Sequence, residues 1–192
     1  MFSILLVLSD CAEVIHGKEV VPHSLPFMAR LEDVKGSLVC GGVLINESWV
    51  LTAAHCKLKK PVKLTDTVKV MDLPKPASDV PAGTRCFAAG WGDTKENGDQ
   101  SDVLLSVNVT VIDRVKCDSP DYYNFSPVCV CVNQHALSVC FQGDSGGPLV
   151  CRDALRGVVS FAGGRGRVNK PTVYTFISKY TDWITKTIQT SG

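Results

Sequence analysis

Short runs of β-branched residues recur along most of the chain and constrain its fold more than any other feature. Examples lie at residues 42–45, 49–51, 103–111 and 157–161, and Gly, Pro, Asn and Asp residues lie between such runs. Strands of this length with turn residues between them are typical of an antiparallel β-sandwich or β-barrel. The pattern therefore predicts an all-β fold.

The C-terminal end has a different, helical pattern. Ile177, Tyr180, Ile184 and Ile188 recur at three- and four-residue spacing, which places them on one face of a helix. Ser178 is predicted as the N-cap of this helix.

Composition and charge exclude several function classes. The chain has 192 residues, of which 45% are hydrophobic and 20% charged, which indicates a globular domain with a substantial core. Its net charge of +1 gives no general attraction to nucleic acid or an anionic membrane surface. No apolar run has the length needed to span a bilayer.

The chain contains nine cysteines, which is a high density for a reducing compartment. Cys129 and Cys131 are one residue apart and no paired histidines follow them, so the spacing fits no compact zinc site. We therefore predict disulfides and an oxidising compartment. Because the count is odd, at least one cysteine is a free thiol, is removed or pairs with another molecule.

Two further features bear on secretion. Residues 2–8 form a short apolar run that is interpreted as a signal peptide, as a buried first strand or as the result of an incorrectly called start. Glycosylation sequons begin at Asn46, Asn108 and Asn124, and Pro127 weakens the third of them. Sequons agree with secretion but also occur by chance.

Two segments carry candidate catalytic residues. Residues 143–149 read Gly-Asp-Ser-Gly-Gly-Pro-Leu, and glycines on both sides of Ser145 allow a tight turn that presents N–H groups to a developing oxyanion. Residues 51–56 read Leu-Thr-Ala-Ala-His-Cys and contain His55. A serine and a histidine in such contexts indicate nucleophilic catalysis.

With these two motifs the chain resembles the trypsin-like serine proteases of the chymotrypsin fold, and in particular the granzyme and mast-cell protease branch. Residues 89–92 (Ala-Gly-Trp-Gly), 159–161 and the closing helix with Trp183 extend the resemblance over nearly the whole chain. It implies two antiparallel six-stranded β-barrels followed by a C-terminal α-helix.

The resemblance also implies domain boundaries. Residues 1–13 would be a short signal with an activation dipeptide at 12–13, and residues 14–192 the peptidase domain. Within that domain we expect a first barrel at 14–73, a Pro-rich linker at 74–81, and a second barrel with the helix at 82–192.

By resemblance, Ser145 is the nucleophile, His55 is the general base, and the amides of Gly143 and Ser145 form the oxyanion hole. The resemblance implies an enzyme that hydrolyses peptide bonds without a metal or cofactor. It also implies a monomer that is secreted or stored in granules, with peptide substrates and protease inhibitors as partners. The new N-terminus at Val14 would pair with Asp144 after activation, although His16 stands where the family has glycine.

The cysteines and the specificity pocket are interpreted by resemblance as well. The implied disulfides are Cys40–Cys56, Cys86–Cys151 and Cys117–Cys131, with Cys129 as a competing partner for Cys117. The implied pocket residues are Val139, Cys140, Ser160, Ala162 and Thr172. Side chains at 162 and 172 would shorten the pocket and favour small apolar substrate residues, and Arg165 or Arg167 reaching into it would favour an acidic one.

The resemblance breaks directly after Cys56. The family's orienting aspartate lies in an Asp-Ile-x-Leu strand well after the histidine, but residues 57–64 match the segment that follows this strand. Asp66, Asp72 and Asp79 are the nearby acids and lie downstream in polar or linker contexts. We expect a truncated first barrel and an impaired enzyme. The alternatives are an inactive protease homologue that binds proteins, and a splice or gene-model product without function.

Overall fold

A computed structural model describes residues 17–54, 56, 65–76, 79–92, 100–117, 129–133, 144–162 and 172–190. The strands are β1 (Lys18–Glu19), β2 (Met28–Glu32), β3 (Leu38–Asn46), β4 (Trp49–Leu51), β5 (Arg85–Gly90), β6 (Leu105–Val111), β7 (Cys129–Asn133), β8 (Pro148–Cys151), β9 (Ala154–Ala162) and β10 (Thr172–Phe176). The helices are α1 (Arg114–Cys117), a 3₁₀ turn (Ile177–Lys179) and α2 (Thr181–Thr190). The prediction of a mostly β fold with a C-terminal helix is confirmed.

Six of the strands close into a barrel. They follow the order β6-β5-β8-β9-β10-β7, and β7 pairs back with β6 through Thr110↔Asn133 and Val111↔Val132. All of these pairs are antiparallel. Closure leaves no strand of the ring paired on one side alone.

The first lobe is smaller and open. Strands β2, β3 and β4 form a three-stranded antiparallel sheet in the order β2-β3-β4, and none of the other described strands extends it. Its own small core consists of Leu31, Cys40, Ala53 and Cys56. The first lobe is therefore a short open sheet in the part of the chain that the structure describes.

A shared apolar cluster joins the two lobes. It contains Phe27, Val43 and Leu51 from the first lobe, Val150, Leu155 and Val158 from the barrel, and Ile177 and Ile184 from the C-terminal segment. All of these side chains are buried. The barrel and α2 thus cover this face of the open sheet.

The start of the C-terminal helix differs from the prediction, since Ser178 is not its N-cap. Ser178 lies inside the 3₁₀ turn Ile177–Lys179, and α2 begins only at Thr181. The Thr181 hydroxyl donates to the carbonyl of Pro74 at 2.9 Å. The helix start is therefore bonded to the segment that connects the lobes.

The described part of the chain contains three disulfides: Cys40–Cys56 in the first lobe, and Cys86–Cys151 and Cys117–Cys131 in the barrel. Among the described residues, no helix has the length and apolar character needed to cross a membrane.

We expect Ile184→Ala to destabilise the fold by about 2–5 kcal/mol, because it opens a cavity in the shared cluster. Ile184 is 4% exposed. Equilibrium denaturation in urea gives the free energy of unfolding. The matched control Thr185→Ala changes the neighbouring exposed position and should cost less than about 0.5 kcal/mol. Equal losses in the two variants would contradict the assignment of Ile184 to the cluster.

Candidate active site

The loop that carries Ser145 lies where the two lobes meet. On the first-lobe side, the amide of Gly41 in β3 donates to the carbonyl of Ser145 at 3.0 Å. On the barrel side, the amide of Gly146 donates to the carbonyl of Val159 at 3.1 Å, and the amide of Val159 donates to the carbonyl of Gly147 at 2.8 Å. Hydrogen bonds from both lobes therefore fix the position of this loop.

Gly146 has a conformation and a setting that exclude a side chain. Its φ is +83°, in the left-handed region that favours glycine. A Cβ atom there would lie 2.6 Å from the nitrogen of Ala53 and 2.7 Å from the oxygen of Gly41, and it would also meet Thr52 Oγ1. The glycine after Ser145 thus lets the segment leading to His55 approach the serine loop.

Asp144 places a carboxylate in the interior beside Ser145. Asp144 is 3% exposed and Ser145 is 4% exposed. The amide of Gly92 donates to Asp144 Oδ1 at 2.7 Å. A Cβ atom on Gly90 would collide with this carboxylate. In the Ala-Gly-Trp-Gly motif, Gly90 therefore leaves space for the Asp144 carboxylate and Gly92 donates a hydrogen bond to it.

The segment before His55 is held against β3. The Thr52 hydroxyl donates to the carbonyl of Gly41 at 2.7 Å, and Gly41 in turn donates to Ser145. After this segment, the buried Cys56 is bonded to Cys40 of β3. His55 itself lies outside the described residues. Its flanking residues are fixed on the first-lobe wall that faces the serine loop.

A small cavity lies behind this segment. It has a volume of about 10 Å³ and is lined by Thr52, Ala53, Ala54, Val158, Val159, Ser160 and Thr175. Ser160 is 3% exposed, and its hydroxyl has no hydrogen-bond partner among the described residues. None of the described lining residues carries a carboxylate.

The three acids considered from the sequence lie elsewhere on the molecule. Asp66, Asp72 and Asp79 are exposed, and none of them lines the cavity at Ser160. Asp79 forms an ion pair with Arg114, with Oδ1 and Nη2 3.1 Å apart. The described acids near the linker are therefore surface residues.

The remaining predicted site residues fall into two groups. Thr172 is buried at the start of β10 and pairs in register with Ala162 of β9, so these two positions are neighbours. The other predicted positions are outside the described residues, namely Val14, Val139, Cys140 and Gly143.

Several residues that support the site are not among the predicted site residues. Gly41 and Thr52 connect the His55 segment to the serine loop, and Gly90 and Gly92 surround Asp144. The available signal was the pairing of glycines in Gly41-Gly42 and Gly90-Trp91-Gly92, because close glycines often mark a close backbone approach.

The trypsin family model matches this chain in two segments, residues 14–59 and 57–184. Granzyme A of Bos taurus is 35% identical over an alignment of 235 residues, which covers 93% of this chain and 89% of that protein. Granzyme B of Rattus norvegicus is 32% identical over 235 residues, covering 95% and 94%. Both alignments are longer than the 192 residues of this chain, so part of each relative has no counterpart here.

Solved structures show the same fold. A structure of human heparin binding protein superposes with a TM-score of 0.82 at 27% identity, covering 93% of this chain and 98% of that one. Neuropsin, a serine protease expressed in the limbic system of mouse brain, superposes with a TM-score of 0.81 at 29% identity, covering 91% and 100%. The closed barrel, the smaller sheet and the C-terminal helix agree with the chymotrypsin fold.

We expect Gly146→Ala to be far more damaging than Gly83→Ala. Gly83 has a similar φ of +80°, but a Cβ atom there would meet nothing within 4 Å. Both variants incur the cost of a left-handed alanine, about 1–2 kcal/mol. Gly146→Ala should lose about 1–3 kcal/mol more, because its methyl group overpacks the contact with Ala53. Urea denaturation measures both losses, and equal values would show that the lobes do not approach closely at Gly146.

Proposed function

The chain belongs to the trypsin family of serine proteases, and we propose that it is a granzyme-like serine endopeptidase with impaired activity. The observation that carries this proposal is the position of the Ser145 loop, which is hydrogen-bonded to Gly41 of one lobe and Val159 of the other. A peptide substrate bound in a cleft between the two lobes would contact residues of both.

In the proposed mechanism, Ser145 Oγ attacks the scissile carbonyl carbon while His55 accepts the hydroxyl proton. The amides of Gly143 and Ser145 stabilise the negative charge on the carbonyl oxygen. His55 then protonates the leaving amine, an acyl-enzyme remains, and water activated by His55 releases it. No metal or cofactor takes part in this sequence.

Activity is proposed to be impaired because the segment with the orienting aspartate is missing. Three observations support this. The family match divides at residues 57–59, at the predicted break. The granzyme alignments exceed the length of the chain. Finally, the described residues that line the small cavity at Ser160 include no acid. Without that carboxylate His55 is not held in the productive tautomer, which costs about 10⁴-fold in kcat when Asp is replaced by Asn in this fold.

Labelling with a fluorophosphonate probe tests the nucleophile directly. We expect the chain starting at Val14 to be labelled slowly at Ser145 and Ser145→Ala not to be labelled, because the turn at Ser145 is built but its base is poorly oriented. Fluorescence of the labelled band gives the rate, and near-UV circular dichroism checks that both proteins are folded. Equal labelling of the two proteins would contradict Ser145 as the nucleophile.

A graft tests the reason for the slow reaction. We expect insertion of the corresponding segment of bovine granzyme A after Cys56 to raise the labelling rate by up to about 10⁴-fold. The matched control carries the same insertion with its aspartate changed to asparagine and should stay slow. Labelling of the ungrafted chain as fast as that of the grafted chain would contradict the proposal that its activity is impaired.

For activation, we propose that the amine of Val14 pairs with Asp144. The carboxylate is buried, and a buried charge is stabilised by an opposite one. In the grafted chain, we expect retention of residues 12–13 to abolish most labelling, because the amine is then displaced by two residues. Acetylation of the Val14 amine is the matched control and should have the same effect. Undiminished labelling in both cases would exclude the pair.

For specificity, we propose cleavage after small apolar residues. Thr172 is buried and pairs with Ala162. In this proposal, side chains at both positions narrow the specificity pocket. The proposed setting is the secretory pathway or a secretory granule, which the three disulfides and the granzyme relatives support. Peptide substrates and protease inhibitors are the proposed partners, and the proposed state is a monomer.

The second candidate is an inactive homologue that binds proteins. The closed barrel favours it, because this barrel is complete without the missing segment. A folded chain without any labelling, whose Ser145→Ala variant retains binding to a protease inhibitor, would support this candidate over the enzyme.

A further inference from the structure

Asn108 projects from the outer face of the barrel. It lies in β6, where side chains alternate between the two faces of the sheet. Val109 is 2% exposed and belongs to the barrel core, whereas Asn108 is exposed and Thr110 is half-buried. The amide of Asn108 and the hydroxyl of Thr110 are therefore on the same outer face, two residues apart.

A row of paired residues shows why this position is open to solvent. Asn108 pairs with Phe87 of β5, Phe87 pairs with Val150 of β8, and Val150 pairs with Leu155 of β9. Exposure decreases along the row, from exposed Asn108 through half-buried Phe87 to Val150 at 2% and Leu155 at 0%. The first lobe and α2 cover the far end of the row, and their cover ends before Asn108.

We propose that Asn108 is an N-glycosylation site. The sequence Asn108-Val109-Thr110 is the acceptor pattern for this modification. The side-chain amide nitrogen bonds to C1 of the first sugar of a lipid-linked oligosaccharide and loses a proton. The lipid pyrophosphate leaves with the electron pair of the former C1–O bond, so no oxidant or reductant is needed.

Asn46 is a contrasting sequon on the same molecule. It lies at the end of β3 and is half-buried, and its Oδ1 accepts a hydrogen bond from the amide of Ser48 at 3.1 Å. The third sequon, at Asn124, lies outside the described residues. Asn108 is therefore the exposed acceptor within the described part of the chain, and Asn46 provides a matched comparison.

Synthesis of the full chain behind a secretion leader, with endoplasmic reticulum microsomes, tests the proposal. Chains protected from added protease have entered the lumen and are digested with trypsin. The peptide of residues 96–114 contains Asn108 as its one sequon. We expect this peptide to carry a glycan in most copies, and peptide N-glycosidase to convert its asparagine to aspartate.

Matched variants separate modification from misfolding. Asn108→Gln and Thr110→Ala should abolish the glycan on this peptide, whereas Thr110→Ser should retain it, because serine keeps the acceptor pattern. Asn46→Gln should leave it unchanged. Protected chains in which the peptide is found only unmodified would overturn the proposal. Because transfer precedes complete folding and does not require proteolysis, this result is independent of whether the enzyme is active.

Discussion

The fold depends on one apolar cluster that belongs to neither lobe alone. Phe27, Val43 and Leu51 of the open sheet pack with barrel residues and with Ile184 of α2. Burying such side chains contributes roughly 1.5–3 kcal/mol each. The sheet that the described strands form has three strands and a small core of its own, so it relies on the barrel for a packing surface. The closed barrel carries the Ser145 loop, and the cluster holds the sheet that precedes the His55 segment against the barrel.

The site follows from this arrangement through a short series of hydrogen bonds. Gly41 accepts from the Thr52 hydroxyl and donates to Ser145, so the His55 segment and the serine loop share one backbone residue as their partner. Gly146 has no side chain to separate them. On the other side, Gly92 donates to the buried Asp144. The supporting residues are glycines and small polar residues because the backbones themselves are in contact.

Much of this architecture is predictable from local sequence. The β-branched runs at residues 49–51 and 157–161 correspond to β4 and part of β9, since strand periodicity is a local property. The prediction of Ser178 as the helix N-cap was wrong, because the chain makes a 3₁₀ turn before α2. Packing of Ile177 fixes that turn. The shared cluster and the glycine contacts depend on residues distant in sequence, so no local pattern reveals them.

The Cys40–Cys56 disulfide has a consequence for how such a chain changes over evolution. It fixes the end of the His55 segment to β3 immediately before the position where the family match divides. Segments gained or lost after residue 56 therefore begin from a fixed point. A lineage can alter the chemistry of the first lobe there while it retains the serine loop, the cluster and the barrel.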